Sequence, residues 1–511
     1  MKQSFPYFDL YFCLMVSPLV QATAPQCQDV LKPRKEPVQS FNHETVHQNA
    51  LVFSPTTLQE LQDVIRTVAN RGQKVRLAGA SHSITSIIRS DGVYVRTLNL
   101  NRIKGLGTTP SGEHFVTVES GVKLGDLYEY LAARGLTLGF AFPYYQGLTI
   151  GGLLSTGSHG SSRVHPALSS QRILSMTLVN GRGETVVIDE RSPDLFKAAK
   201  VGLGLLGAVY EIKLRVVPHF NLEMVTTTLE GDQALLARRG EVNWGPVADA
   251  ESIAWFPYED RAIKFSGSMT KSPAQPGAEN IILGDSSEMT LQDHLIKKAL
   301  FLGKSWPYVN RKAEDKRFKA MRPYVYRENG QDIPGMRVVG PAHKMLLSRK
   351  IDPNPLYTFQ DLSFSFPESK AYEVLYTIRE FSRQNEFYFP VVGVFMRFAR
   401  STGETFMSHI DQPGRAGELY ILAEFAEPKE YGPDGKDESS TSAQLRTQLL
   451  RLLAEKHQVG FHWGKNVDQN FRTSNLRSYY GENLDRFYQQ VRAMDPEGVF
   501  STETFESWLR P

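Results

Sequence analysis

Two short stretches of the chain gather small residues around one histidine just where a strand-like run ends. They are Val75-Arg-Leu-Ala-Gly-Ala-Ser-His-Ser83 and Gly151-Gly-Leu-Leu-Ser-Thr-Gly-Ser-His-Gly-Ser-Ser162. Residues no larger than Ala or Ser let backbone N–H groups close on an anion, and a dinucleotide's pyrophosphate needs several such donors converging on it. Gly79, Ala80, Ser81 and Ser83 meet that need in the first loop. The second repeats the composition with Gly151, Gly152, Thr156, Gly157, Ser158, His159 and Gly160. Each loop alone is also what an ordinary turn looks like; the pair points to a large anionic cofactor.

Other chemistries fare less well. Gly202-Leu-Gly204-Leu-Leu-Gly207 matches the GxGxxG fingerprint letter for letter, but a helical run precedes it and the apolar strand-like Ala208 to Val217 follows. A Rossmann loop must instead leave a strand and open a helix. These glycines are read as a tight helix-to-strand passage that could also approach a cofactor. No GxSxG elbow and no P-loop occur, and two cysteines cannot build a thiolate zinc site. His159 and His165 have the spacing of weak metal ligands with no carboxylate set beside them, so no metal is expected.

The elements that must position these residues alternate in kind. Thr57-Leu-Gln-Glu60 has the pattern of a capping box, opening an amphipathic helix to about Asn70 that Gly72 ends, before a strand over Val75 to Ala78. Strands are expected at Val93–Arg96, Phe115–Val118, Ile173–Val179 and Thr185–Ile188, the last two joined through Asn180-Gly181 by a type I′ turn. Leu124–Arg134 and Pro193–Lys200 are helical interruptions. The class is α+β, with a first domain ending near Pro218. Beyond it, alternating runs such as Leu362–Phe366 and Leu419–Phe425 imply a sheet-rich second region.

At 511 residues, two or three domains are expected. Lys+Arg 58 against Asp+Glu 55 is too even to argue for nucleic acid. Lys2, the apolar Leu10–Val20 and Gln21-Ala22-Thr23-Ala24 form a leader over residues 1–24 with the pattern of an export signal, cleavage after Ala22 being preferred over Ala24 because Pro25 follows. A secreted or periplasmic location is expected. Cys13 would leave with the leader, so no intrachain disulfide is expected. Between Lys297 and Arg322 nine basic residues outnumber two acidic ones, interleaved with aromatics. That is read as a solvated helical face, with a weak membrane-surface contact as the alternative. Pro428 to Ser442 is read as an exposed loop.

The order Gly79-Ala-Ser-His-Ser83, Val118-Glu-Ser-Gly121, Thr149-Ile-Gly-Gly152, Thr156-Gly-Ser-His-Gly160 and Gly204-Leu-Leu-Gly-Ala-Val209 resembles the vanillyl-alcohol-oxidase, or PCMH, type of FAD-binding domain. His462-Trp-Gly-Lys465 resembles the HWxK motif of the aldonolactone and alditol oxidases, the branch of L-gulonolactone and D-arabinono-1,4-lactone oxidases. The resemblance implies an FAD-binding domain of two subdomains at 45–218, an antiparallel-sheet cap at 219–450 and a C-terminal segment at 455–511 returning to the flavin. It also implies FAD attached covalently through His82, an alcohol or lactone as donor, and O2 or another electron acceptor.

A reduced flavin is anionic, and a substrate oxygen develops charge as hydride leaves, so cations are needed there. Arg397, in the place of the family's Glu-x-Arg arginine, and Lys465 are the candidates, with His462 as an orienting neighbour. Two positions depart from the family: Ser81 stands where a Gly precedes the linking His, and Phe395 stands at the glutamate of Glu-x-Arg. Along a strand, 395 and 397 share a face, so an aromatic ring would replace a carboxylate. That leaves open a less polar, sterol-like alcohol as donor, or flavin binding without turnover.

Overall fold

The computed structural model describes residues 32–40, 45–83, 86–90, 92–143, 145–278, 314–315, 318–319, 325–328, 331–334, 336–346, 359–386, 393–428, 441–465 and 473–509. The leader, nearly all of the basic stretch Lys297–Arg322 and most of the loop from Pro428 to Ser442 lie outside the described residues. No helix among the described residues is long and apolar enough to cross a membrane.

The first half of the chain builds two sheets. The N-terminal one contains β1 (Arg34–Gln39), β2 (Thr45–Phe53), β3 (Arg76–Ala78) and β4 (Val93–Arg96) in the order β1-β2-β4-β3. The helix Leu58–Asn70 packs Leu61, Val64, Ile65 and Val68, one face of a 3.6-residue period, into the core that Val75, Val95 and Phe500 share. Its start follows the capping pattern by half. Thr57 accepts from the Glu60 N–H, but the Glu60 carboxylate reaches back one residue further, to the N–H and hydroxyl of Thr56. Gly72 closes the helix at φ +61°.

The second sheet runs β5 (Ile103–Thr108), β6 (His114–Glu119), β10 (Ala208–Arg215), β8 (Ile173–Val179) and β9 (Thr185–Ile188), while β7 (Leu136–Thr137) and β11 (Val217–Pro218) pair apart from it. The β8–β9 turn corrects the type I′ expectation. Asn180 pairs with Glu184 around a three-residue loop, and the left-handed residue is Gly183 at φ +73°, not Gly181. The Asn180 side chain accepts the N–H groups of Arg182 and Glu184 and favours this wider turn. Gly181 is small because Asp495 of the C-terminal segment lies against it. The GxGxxG stretch runs from the helix Pro193–Lys200 into β10, the opposite of a Rossmann order.

The cap is one antiparallel sheet of eight strands. It holds β12 (Asn221–Leu229), β13 (Ala250–Phe256), β14 (Arg261–Thr270), β17 (Met336–Pro341), β18 (Phe359–Pro367), β19 (Val394–Arg400), β20 (Leu419–Pro428) and β21 (Gly460–Phe461). Their order is β17-β12-β14-β13-β19-β20-β18-β21; β15 (Val325–Glu328) and β16 (Gln331–Pro334) form a separate pair. The helix Ala371–Gln384 packs Val374, Leu375 and Ile378 into the main core. The C-terminal helix Glu482–Met494 ties back through Arg486 to Asp194, and the Val75 N–H donates to Val499.

A buried ionic cluster joins cap to first domain. Arg163 grips Glu251 of β13 at 2.5 and 2.6 Å, and Lys264 of β14 meets the same carboxylate at 2.7 Å. Glu251 and Lys264 are fully buried, and burial lowers the Lys264 pKa. A lone buried charge is far costlier than a satisfied cluster, so Glu251→Gln, which leaves two cations facing each other, is expected to cost about 3–5 kcal/mol. Thermal melts check this against Arg191→Ala, whose exposed pairing with Asp189 should leave the melting temperature unchanged.

Candidate active site

Between first domain and cap lies a cleft enclosing about 1360 Å³ of open space. Its wall brings together Gly79, Ala80, Ser81, His82 and Ser83 after β3, then Gly151, Gly152, Thr156, Ser158 and His159, and Val209 at the head of β10. From the cap side come Arg397 and Glu424, and from the segment after β21 come His462, Gly464 and Lys465. Of the residues picked from sequence, Gly157 and Gly160 stand outside this wall. Gly157 turns the chain at φ +72°, and a Cβ on Gly160 would strike the Phe140 carbonyl.

The glycines that do line the cleft are small for the sake of neighbouring protein. A Cβ on Gly79 would run into Thr149 Oγ1, one on Gly151 would lie 2.7 Å from Ser120 Cβ, and one on Gly152 would lie 2.9 Å from Thr149 Oγ1. The two loops therefore meet through Thr149. Ser81 holds φ at +56°, a left-handed conformation that suits glycine better than serine. Beside it, His82 is pushed down to about 4 by burial first, then by the positive fields of Lys465 and Lys123. Its ring is a neutral imidazole near pH 7.

Three further histidines meet under the cap. Ring centroids are 4.8 Å apart for His409 and His462, 5.6 Å for His159 and His409, and 5.8 Å for His159 and His462. Burial dominates in holding all three neutral: His159 is lowered to about 4, and His409 and His462 well below the usual value. Their hydrogen bonds then assign the protons. His159 Nδ1 faces the Gly160 carbonyl at 2.9 Å and must carry the hydrogen, leaving Nε2 an acceptor. His462 Nδ1 accepts the Gly464 N–H at 3.0 Å, so its proton sits on Nε2 and is available to donate. Neither His409 nitrogen has a hydrogen-bond partner among the described residues. No group of metal ligands forms among the described residues; His165 turns away to Asp249 at 2.6 Å.

On the cap, β19 and β20 pair Phe395 with Glu424 and Arg397 with Leu422. Phe395 joins an aromatic cluster with Phe256, Ile263 and Phe318, and does not line the cleft. Glu424, which sequence reasoning missed, does, with Lys465 Nζ 3.6 Å from its Oε1. Trp463, buried and donating to the Met407 carbonyl at 2.6 Å, anchors the turn that carries His462 and Lys465. Arg76 was also missed. It lies buried in the cleft wall, donates Nη2 to the Leu203 carbonyl at 2.6 Å and stacks over the Phe505 ring, and its Nε and Nη1 have no hydrogen-bond partner among the described residues. Only its adjacency to Gly79 in the small-residue loop could have flagged it.

A family profile described as an FAD binding domain matches residues 49–189, and one described as D-arabinono-1,4-lactone oxidase matches residues 212–509, more than half of the chain. The chain is similar to D-arabinono-1,4-lactone oxidase of Eremothecium gossypii, 33% identical over 230 residues, 44% of this chain and 42% of that protein. It is also similar to L-gulonolactone oxidase of Scyliorhinus torazame, 27% identical over 270 residues, 51% of this chain and 58% of that protein. The matched segments thus span about half the length of these relatives. Among solved structures, cholesterol oxidase from Brevibacterium sterolicum shares the fold at a TM-score of 0.73 and 17% identity, covering 94% of this chain and 97% of that one.

Two outcomes follow from the site. Relieving the left-handed Ser81 by Ser81→Gly should raise stability by about 0.5–1 kcal/mol, the steric relief exceeding the added chain entropy; a lower melting temperature would contradict it. The four histidines His82, His159, His409 and His462 take up protons far more readily unfolded than folded. His82 and His159 therefore contribute stability that is present above the unfolded value of 6.5 and lost as pH falls toward about 4, and His409 and His462, also lowered by burial, act in the same direction. Melting temperatures should be flat from about pH 7 to 8 and fall steeply below about 6.5, with a shallower fall in His409→Leu.

Proposed function

Because the chain belongs to the D-arabinono-1,4-lactone oxidase family, we propose that it is an FAD-dependent oxidoreductase acting on a CH–OH donor of the sugar-acid lactone or alditol type, with O2 or another acceptor taking the electrons. The observation that carries this reading is the convergence, on one cleft, of the two small-residue loops with Arg397 and Lys465 from the cap side.

The residues present fit the cofactor. The unpartnered, fully buried nitrogens of Arg76 suit an anionic group, and Gly79, Ala80, Ser81 and Ser83 let backbone approach it closely. Bound there, FAD supplies the hydride acceptor. His82, neutral at physiological pH with a ring nitrogen lone pair, is the residue we assign to covalent attachment. Arg397 and Lys465 hold the donor oxygen and offset negative charge that builds near it, and the His462 Nε2–H gives that oxygen a directed donor. Phe395 packs against the apolar cluster of Ala254, Phe256, Ile263 and Phe318 and is not among the residues lining the cleft, so it lends an apolar donor no support. The leader through Ala24 supports export from the cytoplasm.

The decisive experiment is anaerobic reduction of the purified yellow protein by L-gulono-1,4-lactone, alditols and apolar secondary alcohols in turn. Bleaching by a lactone or alditol supports the reading; bleaching by apolar alcohols alone, or by none of these donors, overturns it. Lys465→Met and Arg397→Met should each slow bleaching by about 10²–10³-fold with flavin retained. Acid-precipitated wild type should stay yellow, whereas His82→Ala should release its flavin to the supernatant; a variant that keeps its colour in the pellet rules out the His82 linkage.

A further inference from the structure

The site has room for one more role, and it belongs to Glu424. Phe395 stands, two residues before Arg397, at the place that the resemblance gives to a carboxylate. Its ring packs with Ala254, Phe256, Ile263 and Phe318, so a carboxylate there would be pressed into an apolar cluster. One strand over, Glu424 of β20 is the direct cross-strand partner of Phe395 on β19. Directly opposed residues of an antiparallel pair share a face, with Cβ atoms about 5 Å apart. A carboxylate on β20 therefore serves the same side of the sheet as one on β19 would have done.

We propose that Glu424 anchors a second hydroxyl of the donor, beside the carbon that loses hydride, and thereby selects polyhydroxylated donors over apolar alcohols. This rests on the oxidase reading above and specifies its substrate class. Four groups line the cleft together: Arg397 and Lys465 as cations, the His462 Nε2–H as a neutral donor, and Glu424 as the acidic member. Lys465 Nζ lies 3.6 Å from Glu424 Oε1, and the two side chains are 20% and 18% exposed. The cations, and His462 through its Nε2–H, donate hydrogen bonds, so they suit the reacting oxygen as it gains negative charge. A carboxylate can only accept them, so it suits an O–H that stays protonated throughout.

The pairing with Lys465 keeps the carboxylate in place when no donor is bound, and a hydroxyl entering the cleft adds to its coordination. A donor with a hydrocarbon body would cover Glu424 without offering it a hydrogen. Such a donor strips solvent from the Glu424–Lys465 pair and gives the carboxylate no hydrogen bond in exchange, a desolvation that a hydroxylated donor offsets. A merely structural Glu424, serving to hold Lys465, would show no preference between donors that differ by one hydroxyl.

The test uses the FAD-loaded enzyme, with Glu424→Gln and Glu424→Asp. Anaerobic bleaching is measured with an alditol or lactone and with a deoxy analogue lacking only the hydroxyl beside the reacting carbon. Equilibrium binding of both compounds to photoreduced enzyme is measured as a readout without turnover. Glu424→Gln is expected to lose about 10- to 100-fold in bleaching efficiency toward the polyhydroxylated donor and little toward the deoxy analogue. Binding should show the same contrast, the flavin spectrum should be unchanged, and Glu424→Asp should recover part of the loss. Equal losses on both donors, or none on either, overturn the anchor while leaving the oxidase reading standing. A wild type that no CH–OH donor reduces, though dithionite bleaches it, overturns the oxidase reading and the anchor with it.

Discussion

The clamp between the loop after His159 and the cap sheet is the constraint on which the rest of the structure depends. The Ser161 hydroxyl donates to the Glu251 carbonyl of β13 and accepts the Phe398 N–H of β19, while the Ser162 N–H donates to the Phe398 carbonyl at 2.8 Å. Two residues on, Arg163 enters the buried cluster with Glu251 and Lys264. Phe398 is the chain neighbour of Arg397, so the hydrogen bonds that seat the cap also fix where Arg397 stands over the cleft. Shape is set here by polar bonds in a dry interior, where each unmet group is expensive, rather than by apolar contact alone.

Electrostatics within the cleft have one direction. Arg76, Arg397 and Lys465 line it, and burial first, with the fields of Arg397, Lys465 and, at His82, Lys123, keeps His82, His159 and His462 neutral. Neutral imidazoles with settled tautomers are directional: His159 offers an acceptor and His462 a donor. The excess positive charge meets anionic groups, whereas the histidines meet neutral ones. Among the described residues of this cationic wall, Glu424 is the one carboxylate.

Much of this was legible beforehand. The two small-residue loops, the helix from Leu58 and the wrong context of the GxGxxG stretch follow from residue type, spacing and period, whereas Arg397 and Lys465, which line the same cleft, were pointed to by the resemblance. The misses share a cause. The β8–β9 turn widened because Asp495, more than three hundred positions away, lies on Gly181, and because Asn180 satisfies two amides at once. Gly160 sits beside Phe140 and not at the cleft, since close approach of backbone to backbone demands the same residue as close approach to a ligand. Arg76 was hidden within a strand whose neighbours gave no reason to expect an unsatisfied cation.

The amino-acid sequence by itself determined the local periods, the caps, the permissive loops and the inventory of groups able to hold an anion or polarise an alcohol, because these depend on residues within a few positions of each other. Tertiary structure alone decided which of those groups share a cleft. The register of β19 on β20 set Glu424 opposite Phe395, and the return of the C-terminal segment brought Lys465 within 3.6 Å of that carboxylate. Cross-strand partners lie side by side across the sheet while remaining far apart along the chain, so no spacing in the sequence records them.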